Sequence, residues 1–245
     1  MSSMLARELR EQVCRANLDL VDRGLVMGTF GNVSGLDRSA GLFVIKASGV
    51  PYASLGPEHM VPISLATGEP LERDFRPSSD TPTHLELYRA FDCGGIAHTH
   101  SDFATAFAQA RTPVRCMGTT HADYFRGDVP VTRPMTDTEV GGAYERNTGL
   151  VIVETFRTHG LSADEIPGAL VANHGPFTWG RDAAAAVERA HVLEYLARVN
   201  CIAGLVDPRA ASPATFLIDR HFLRKHGARA YYGQHDEAGE RSYES

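Results

Sequence analysis

The stretch GGIAHTHSDFATAFA, residues 94–108, decides the fold, because two histidines follow a short apolar run there. The apolar run predicts a short buried strand, and residues 102–110 predict a helix of small side chains. Side chains alternate along a strand, so His98 and His100 would point to one face, with Cα atoms roughly 6.5–7 Å apart. Two imidazoles at that spacing can reach one metal ion, although a pair of hydrogen-bonded surface histidines would produce the same pattern.

A third histidine, His174, lies where the apolar segment ALVAN meets the turn HGPF. Three neutral imidazoles that leave one position open are typical of a catalytic zinc site. Asp80 lies just upstream of the first pair, at the predicted start of a helix. It could be a fourth ligand, an orienting group or a base, and an N-cap is the commoner role for such an aspartate. The sequence therefore predicts a metal site at His98, His100 and His174, with Asp80 beside it.

Composition limits the classes of function. A chain of 245 residues with 43% hydrophobic and 22% charged residues fits one large globular α/β domain. The net charge of −6 gives no indication of nucleic-acid or anionic-membrane binding as a main role. No apolar run approaches the length of a membrane span, and the first residues lack a signal-peptide core, so we expect a cytoplasmic protein. The four cysteines show no C-x-x-C spacing and are expected to be reduced core thiols.

Hairpins dominate the first third of the chain. A helix is predicted over residues 5–23, and the turn DRSAG before the strand LFVIK predicts a hairpin. A second hairpin is predicted to turn at residues 66–69, and SSDTPTHLELYRAF then predicts a helix with Pro82 in its first turn.

Helices and strands alternate in the rest of the chain. TDTEVGGAYERNTGLVIVETF predicts a single helix that begins with a capping box of Thr136 and Glu139, despite two glycines. PGALVANHGPFTWG predicts one buried strand, and further helices are expected over residues 182–204 and from near Ser212. The whole pattern predicts a mixed α/β fold, a single domain with a central, largely antiparallel sheet covered by helices.

Three segments are candidates for binding an anion. GTFGNVSG carries three glycines with Asn32 and Ser34, KASG adds Lys46 and Ser48, and SSD places two serines at a helix N-terminus. Each segment would also suit an ordinary turn. The chain has neither of the two glycine-rich nucleotide-binding motifs, so a nucleotide-binding fold has no support.

With these motifs in view, the chain resembles the class II aldolase and adducin family, and within it the sugar-phosphate 4-epimerase branch. The resemblance runs nearly from end to end and implies one domain over residues 1–234, with a disordered polar tail at 235–245. It rests on collinear segments: GNVSG, FVIKASGV, PSSDTPTHLELYRAF, GGIAHTH, GTTHADYF, MTDTEV, VIVETF and HGPFTWG.

The resemblance implies a role for each matching residue. The three histidines match zinc ligands, and Asp80 matches a metal-proximal aspartate that favours the epimerases over the aldolases. Asp123 and Tyr232 match two acid/base residues that come from a neighbouring subunit of a cyclic homotetramer. The residues that match positions binding the substrate, chiefly its phosphate, together with the adjacent lysine, are Gly31, Asn32, Lys46, Ser48, Gly49, Ser78, Ser79 and Asp80.

The implied reaction is a zinc-dependent inversion at C4 of a pentulose 5-phosphate, L-ribulose 5-phosphate to D-xylulose 5-phosphate, by retro-aldol and aldol steps. One alternative is an aldolase of the same family that releases its fragments. A metal-free, adducin-like binding module is a third candidate function. The chain keeps all the matching site residues, which argues against it. Asp102 and Phe103 stand where related epimerases carry basic residues, and VANHG stands where they carry HSHG, so we expect these differences to bear on substrate choice.

Overall fold

A six-stranded sheet organises the fold in the computed structural model, which describes residues 5–232. Its strands are β1 (Asn32–Asp37), β2 (Leu42–Lys46), β3 (Met60–Ser64), β4 (Gly95–His98), β5 (Gly168–Leu170) and β6 (Pro176–Gly180). They lie in the order β3-β2-β1-β4-β6-β5, and every neighbouring pair is antiparallel. The predicted mixed α/β fold with an antiparallel sheet is therefore confirmed. The predicted tail, residues 235–245, lies outside the described residues.

Helices cover both faces of the sheet. They are α1 (Arg7–Asp22), α2 (Thr81–Ala90), α3 (Asp102–Gln109), α4 (Thr119–Ala122), α5 (Asp137–Gly141), α6 (Tyr144–His159), α7 (Ala183–Val206) and α8 (Thr215–His226). Helices α1 and α7 contact one face of the sheet, and α2 and α6 pack together on the other. None of the helices within residues 5–232 is both long and apolar enough to cross a membrane.

Strand alternation divides the core between the two faces. On the α2–α6 face, Tyr88 packs against Phe43 with ring centroids 5.2 Å apart, and Phe156 packs edge-on against Trp179. On the other face, Val33 and the small side chains of α7 bury a second cluster. Strands β2, β3 and β4 contribute buried side chains to both clusters, which fixes their register, whereas β5 and β6 contribute only to the first.

The paired glycines before the first histidine allow a close approach of two chain segments. A Cβ atom on Gly94 would lie 2.0 Å from the carbonyl oxygen of Arg181, and one on Gly95 would lie 2.3 Å from the backbone of Asp182. Any side chain there would push β4 away from the start of α7. The two glycines therefore allow β4 to pack closely against the start of α7 in the middle of the sheet, and His98 is the last residue of this strand.

Two predicted single elements are each divided in the structure. The predicted helix from Thr136 is two helices, α5 and α6, because Gly142 adopts φ −99° and ψ −129°, outside the helical region. Its capping box is confirmed, with the Thr136 hydroxyl accepting from the Glu139 amide at 3.3 Å. The predicted single strand is the pair β5 and β6, because Asn173 turns the chain with φ 65°.

Three smaller expectations also need correction. The last helix begins at Thr215 rather than near Ser212. The second limb of the predicted second hairpin makes only an isolated bridge at Pro70, which has no N–H to extend a ladder. Three of the four cysteines are buried free thiols, as predicted, but Cys201 is exposed.

Candidate active site

The three predicted histidines meet at one end of the sheet. His98 ends β4, His174 lies in the turn between β5 and β6, and His100 lies beyond the strand that was predicted to carry it. Their ring centroids are 4.8–5.0 Å apart, and the Nε2 atoms of His98 and His100 are separated by 3.1 Å. We call these residues the histidine triad.

The triad fits a divalent transition metal. One ligand atom from each ring lies within 4.8 Å of the other two, and imidazole nitrogens are a donor set that zinc prefers. His98 donates from Nδ1 to the carbonyl oxygen of Pro176 at 2.9 Å, which leaves Nε2 available as a ligand. Burial lowers the pKa of His174 to about 4, and it also lowers the pKa of His100. At neutral pH both rings are therefore in the neutral form that binds metals.

Asp80 lies beside the triad but outside the group of converging ligand atoms found among residues 5–232. It occupies the N-cap position of α2, yet its side chain caps no helix amide and instead accepts from Asn32 Nδ2 at 2.7 Å. The expected N-cap position of Asp80 is therefore confirmed, but its side chain makes no capping hydrogen bond. Burial alone would raise the pKa of Asp80, but nearby His98 and His84 and the Asn32 hydrogen bond hold it below its ordinary value.

A cavity of about 390 Å³ joins the triad to the predicted anion-binding segments. The KASG and SSD segments are held side by side, because the Ser78 amide donates to the Lys46 carbonyl at 3.0 Å and the Ser48 amide donates to the Arg76 carbonyl at 2.9 Å. All eight residues predicted to bind the substrate line this cavity: Gly31, Asn32, Lys46, Ser48, Gly49, Ser78, Ser79 and Asp80. Their roles in binding stay predictions.

Lys46 is the only lysine or arginine among the described residues that lines this cavity, and its side chain is buried. Its ammonium group donates to the carbonyl oxygen of Val50 at 2.8 Å and lies 4.9 Å from the centroid of the Tyr52 ring. Burial lowers the pKa of this amine. The backbone carbonyl and the ring thus hold the cation at the cavity wall.

Asp123 and Tyr232 are brought together with each other, but neither lines the cavity of their own chain. The Arg224 guanidinium donates to both carboxylate oxygens of Asp123, at 3.1 and 2.9 Å, and lies 4.1 Å from the centroid of the Tyr232 ring. His221 Nδ1 is 3.2 Å from the same carboxylate. We call these four residues the Asp123 cluster. Sequence reasoning did not single out Arg224 or His221.

Sequence reasoning also missed part of the cavity wall. Phe30, Tyr144 and Glu145 line the cavity, and the hydroxyl of Tyr144 is 3.5 Å from His174 Nδ1. The signal for the last two was the pair of glycines in VGGAYE, because a glycine inside a helical pattern often marks an interruption with a functional reason. Asp102 and Phe103, where the sequence departs from related epimerases, do not line the cavity.

Comparisons with known proteins place this geometry among related folds. A family profile described as "Class II Aldolase and Adducin N-terminal domain" matches residues 11–201. The structure of an "L-fuculose 1-phosphate aldolase" superposes with a TM-score of 0.75 at 23% identity, covering 90% of this chain and 97% of that one. The enzyme of that name from Thermus thermophilus gives 0.64 at 27% identity, covering 84% and 98%.

A further match is YgbL from Klebsiella pneumoniae, described as "a putative aldolase/epimerase/decarboxylase". It superposes with a TM-score of 0.69 at 24% identity, and the alignment covers 89% of this chain and 99% of that one. At this level of identity the match shows the fold alone. The fold is thus shared with proteins whose names span several reactions.

Proposed function

The chain belongs to the class II aldolase and adducin family, and on that premise we propose that it is a zinc-dependent sugar-phosphate 4-epimerase. One observation carries the proposal: the histidine triad and the eight predicted substrate-binding residues share one cavity. The family supports a sugar-phosphate enzyme, and the epimerase assignment rests on the match of Asp80, Asp123 and Tyr232 to that branch.

His98, His100 and His174 would hold the cation, with Asp80 at its side. When bound, a divalent cation supplies Lewis-acid polarisation of a substrate carbonyl. At the other end of the cavity, the serine hydroxyls of the KASG and SSD segments bind a phosphate at the start of α2. The cavity thus offers one site for each end of a ketose phosphate.

Asn32 is placed to recognise a hydroxyl group between these ends. It pairs in register with His98 across β1 and β4, and its amide nitrogen is committed to Asp80. Its Oδ1 atom is buried and has no hydrogen-bond partner among the described residues. An unpaired buried acceptor is costly, so this oxygen accepts from a substrate hydroxyl when the cavity is filled.

Inversion at C4 requires proton transfer on both faces of the substrate. The C4 hydroxyl loses its proton as the C3–C4 bond breaks, and the resulting aldehyde oxygen regains a proton after C3 adds to the other face. Asp123 and Tyr232 divide these transfers. Because neither lines the cavity of its own chain, they serve the cavity of a neighbouring subunit.

The reaction can be tested with zinc-loaded protein and L-ribulose 5-phosphate, followed by NMR. The proposal expects D-xylulose 5-phosphate to form without free glycolaldehyde phosphate. His98→Ala, prepared in parallel, is the control for contaminating enzymes. Stoichiometric release of the aldehyde would favour an aldolase, and no turnover across a panel of ketose phosphates would reject both activities.

An exposed apolar stripe supports assembly into a homotetramer. Tyr195, Val199, Ile202 and Val206 recur on one side of α7, while the opposite side packs on the sheet. Arg198 also lies on this side, against the Tyr195 ring, but a row of exposed apolar side chains is typical of a surface that a partner covers. The chain beyond residue 232, GQHDEAGERSYES, is too polar to cover the stripe, so a second copy of this chain is the occupant we propose.

Charge insertion tests that interface. Val206→Glu should lower the mass measured by light scattering from that of a tetramer, whereas Arg7→Glu on the exposed side of α1 should leave it unchanged.

Mixing inactive His98→Ala and Asp123→Asn chains should restore activity, because some cavities then receive intact groups from both. A monomeric wild type, or no recovery in verified mixed oligomers, would reject shared sites.

An aldolase remains the second candidate, and Glu145 is the observation that favours it. Glu145 lines the cavity of its own chain, so its carboxyl group needs no neighbouring subunit to serve as the proton-transfer group of an aldolase. Glu145→Gln should abolish turnover if the enzyme is an aldolase that uses this group. If Asp123 and Tyr232 carry the proton transfers, that variant should retain measurable interconversion.

A further inference from the structure

Each histidine of the triad lies near-parallel to one aromatic ring, and His174 also contacts Phe177 edge-on with centroids 6.2 Å apart. His98 stacks on Phe177 with centroids 4.1 Å apart and planes 14° apart, and His174 lies near-parallel to Tyr144 at 6.3 Å and 30°. His100 lies near-parallel to Phe30 at 5.8 Å and 26°. The three pairs differ in exposure, since Phe177 is fully buried and Phe30 is 59% exposed.

The three rings also differ in hydrogen bonding. His98 is held by the Pro176 carbonyl, and His174 lies within 3.5 Å of the Tyr144 hydroxyl. His100 is the most exposed of the three, and its only ring hydrogen bond within residues 5–232 is to His98 itself. Within residues 5–232, Phe30 therefore supplies the one ring or hydrogen-bond contact to the His100 imidazole from outside the triad.

The backbone fixes Phe30 in this place without burying it. The Phe30 amide donates to the Met27 carbonyl at 3.1 Å, and the Tyr52 hydroxyl donates to the Gly31 carbonyl at 3.0 Å. Gly31 has φ 82°, and a Cβ atom there would lie 2.8 Å from a methyl group of Val26. The backbone of this loop therefore holds the Phe30 ring beside His100 even though the ring is exposed.

We propose that Phe30 is a positioning residue for the metal centre: its ring holds His100 in the orientation of a ligand. This rests on the proposed metal site. Hydrogen bonds to metal-ligating histidines orient the ring for the ion, and stacking supplies that restraint for His100. Without it the imidazole rotates toward solvent, while the fold and the other two ligands stay in place.

The test is the zinc affinity of the full-length protein, measured by competition with a chromophoric chelator. Phe30→Ala and Phe30→Leu should weaken zinc binding roughly 10–100-fold, as removal of an orienting partner does. Phe30→Tyr, which keeps a ring, should retain the wild-type affinity. Met27→Ala is the matched control, because Met27 is exposed in the same loop but does not line the cavity.

Two further measurements make the result decisive. The visible absorption of the Co²⁺-loaded protein should change in Phe30→Leu, because the third ligand is lost or moved. Thermal melting of the metal-free variants checks folding, and Phe30→Leu carries the test if Phe30→Ala does not fold. Wild-type affinity in Phe30→Leu would overturn the role of the ring. A wild type that binds no zinc would instead reject the metal site itself, together with this role.

Discussion

The histidine triad and the Asp123 cluster differ in whether their ionisable side chains are paired with an opposite charge from the same chain. In the triad, burial lowers the pKa of His100 and His174, and one ligand atom from each of the three imidazoles lies within 4.8 Å of the others. In the Asp123 cluster, the Arg224 guanidinium contacts both carboxylate oxygens, so the two charges are paired within the chain. The first arrangement offers nitrogen donors to an ion, whereas in the second the carboxylate is already paired with a cation of the same chain.

Removing one ligand is the strongest way to break this comparison. His98→Ala should lose bound zinc and activity to background while the chain stays folded, because the two remaining imidazoles cannot hold the ion. Metal analysis after gel filtration measures the first effect, and circular dichroism checks the fold. His159→Ala, at the exposed end of α6, should behave as the wild type. Near-stoichiometric zinc in His98→Ala would contradict the assignment.

Removing one hydroxyl group tests the Asp123 cluster. Tyr232→Phe keeps the ring over Arg224, so the fold, the zinc content and substrate affinity should be unchanged. The loss of a positioned acid/base group should slow interconversion roughly 10²–10⁴-fold, and we expect some free aldehyde to be released where the wild type releases none. Tyr231→Phe is the matched control on an adjacent, exposed ring. A wild-type rate in Tyr232→Phe would show that its hydroxyl has no role in proton transfer.

A pH titration sharpens the comparison, because α4 carries a buried neutral histidine just before Asp123. Burial lowers the pKa of His121 to about 4, and its Nε2 donates to the Gly127 carbonyl at 2.7 Å. The unfolded chain binds this proton near pH 6.5, so stability should fall as the pH drops from about 6.5 to 4. At pH 4 the lowered pKa of His121 should reduce the free energy of unfolding by on the order of 3 kcal/mol, relative to pH 7.

The measurement is urea unfolding of the metal-free protein at pH 7 and pH 4. His121→Gln keeps an N–H donor but does not titrate, so its free energy of unfolding should depend less on pH than that of the wild type. His84 and His174 contribute in the same direction and remain in both proteins. An unchanged pH dependence in His121→Gln would indicate that His121 is protonated in the folded state.

The smallest expected effect is on stability, and it comes from the cap at the start of α3. The Glu194 carboxylate on α7 accepts from the amides of Phe103 and Ala104, both at 2.9 Å, and so caps the helix that follows His100. Glu194→Gln keeps one acceptor oxygen and loses the charge, which should cost about 1 kcal/mol of stability. Glu69→Gln, in an exposed segment away from any helix terminus, should cost nothing measurable by the same unfolding assay. An equal effect in both variants would exclude the capping role.

The sequence predicted those parts of the site that depend on local pattern. The H-x-H pair after an apolar run, the His174 turn and the serine pair before α2 are local signals, and the structure brings these residues to one cavity. The antiparallel sheet followed from hairpin turns and short strands.

Features that depend on contacts between distant segments were not predictable from one sequence. Arg224 and Asp123 are far apart in the chain, and no spacing rule joins them. Gly142 separates α5 from α6, but the residues before and after it both favour a helix, so the sequence pattern predicted one continuous helix. Phe30 was missed because an exposed aromatic residue in a loop has no signal of its own until His100 is seen beside it.

The position of β4 has a consequence for the order of events during protein synthesis. This strand pairs with β1 on one side and with β6 on the other, and β6 follows His174 in the chain. The ribosome therefore releases His98 and His100 after β1, β2 and β3 but long before β5, β6 and His174 exist. An ion bound as proposed, by all three histidines, would therefore not nucleate this fold as zinc does in a zinc finger and would load into the finished protein. On that proposal, the supply of metal in the cell should limit the activity of the protein and not its yield.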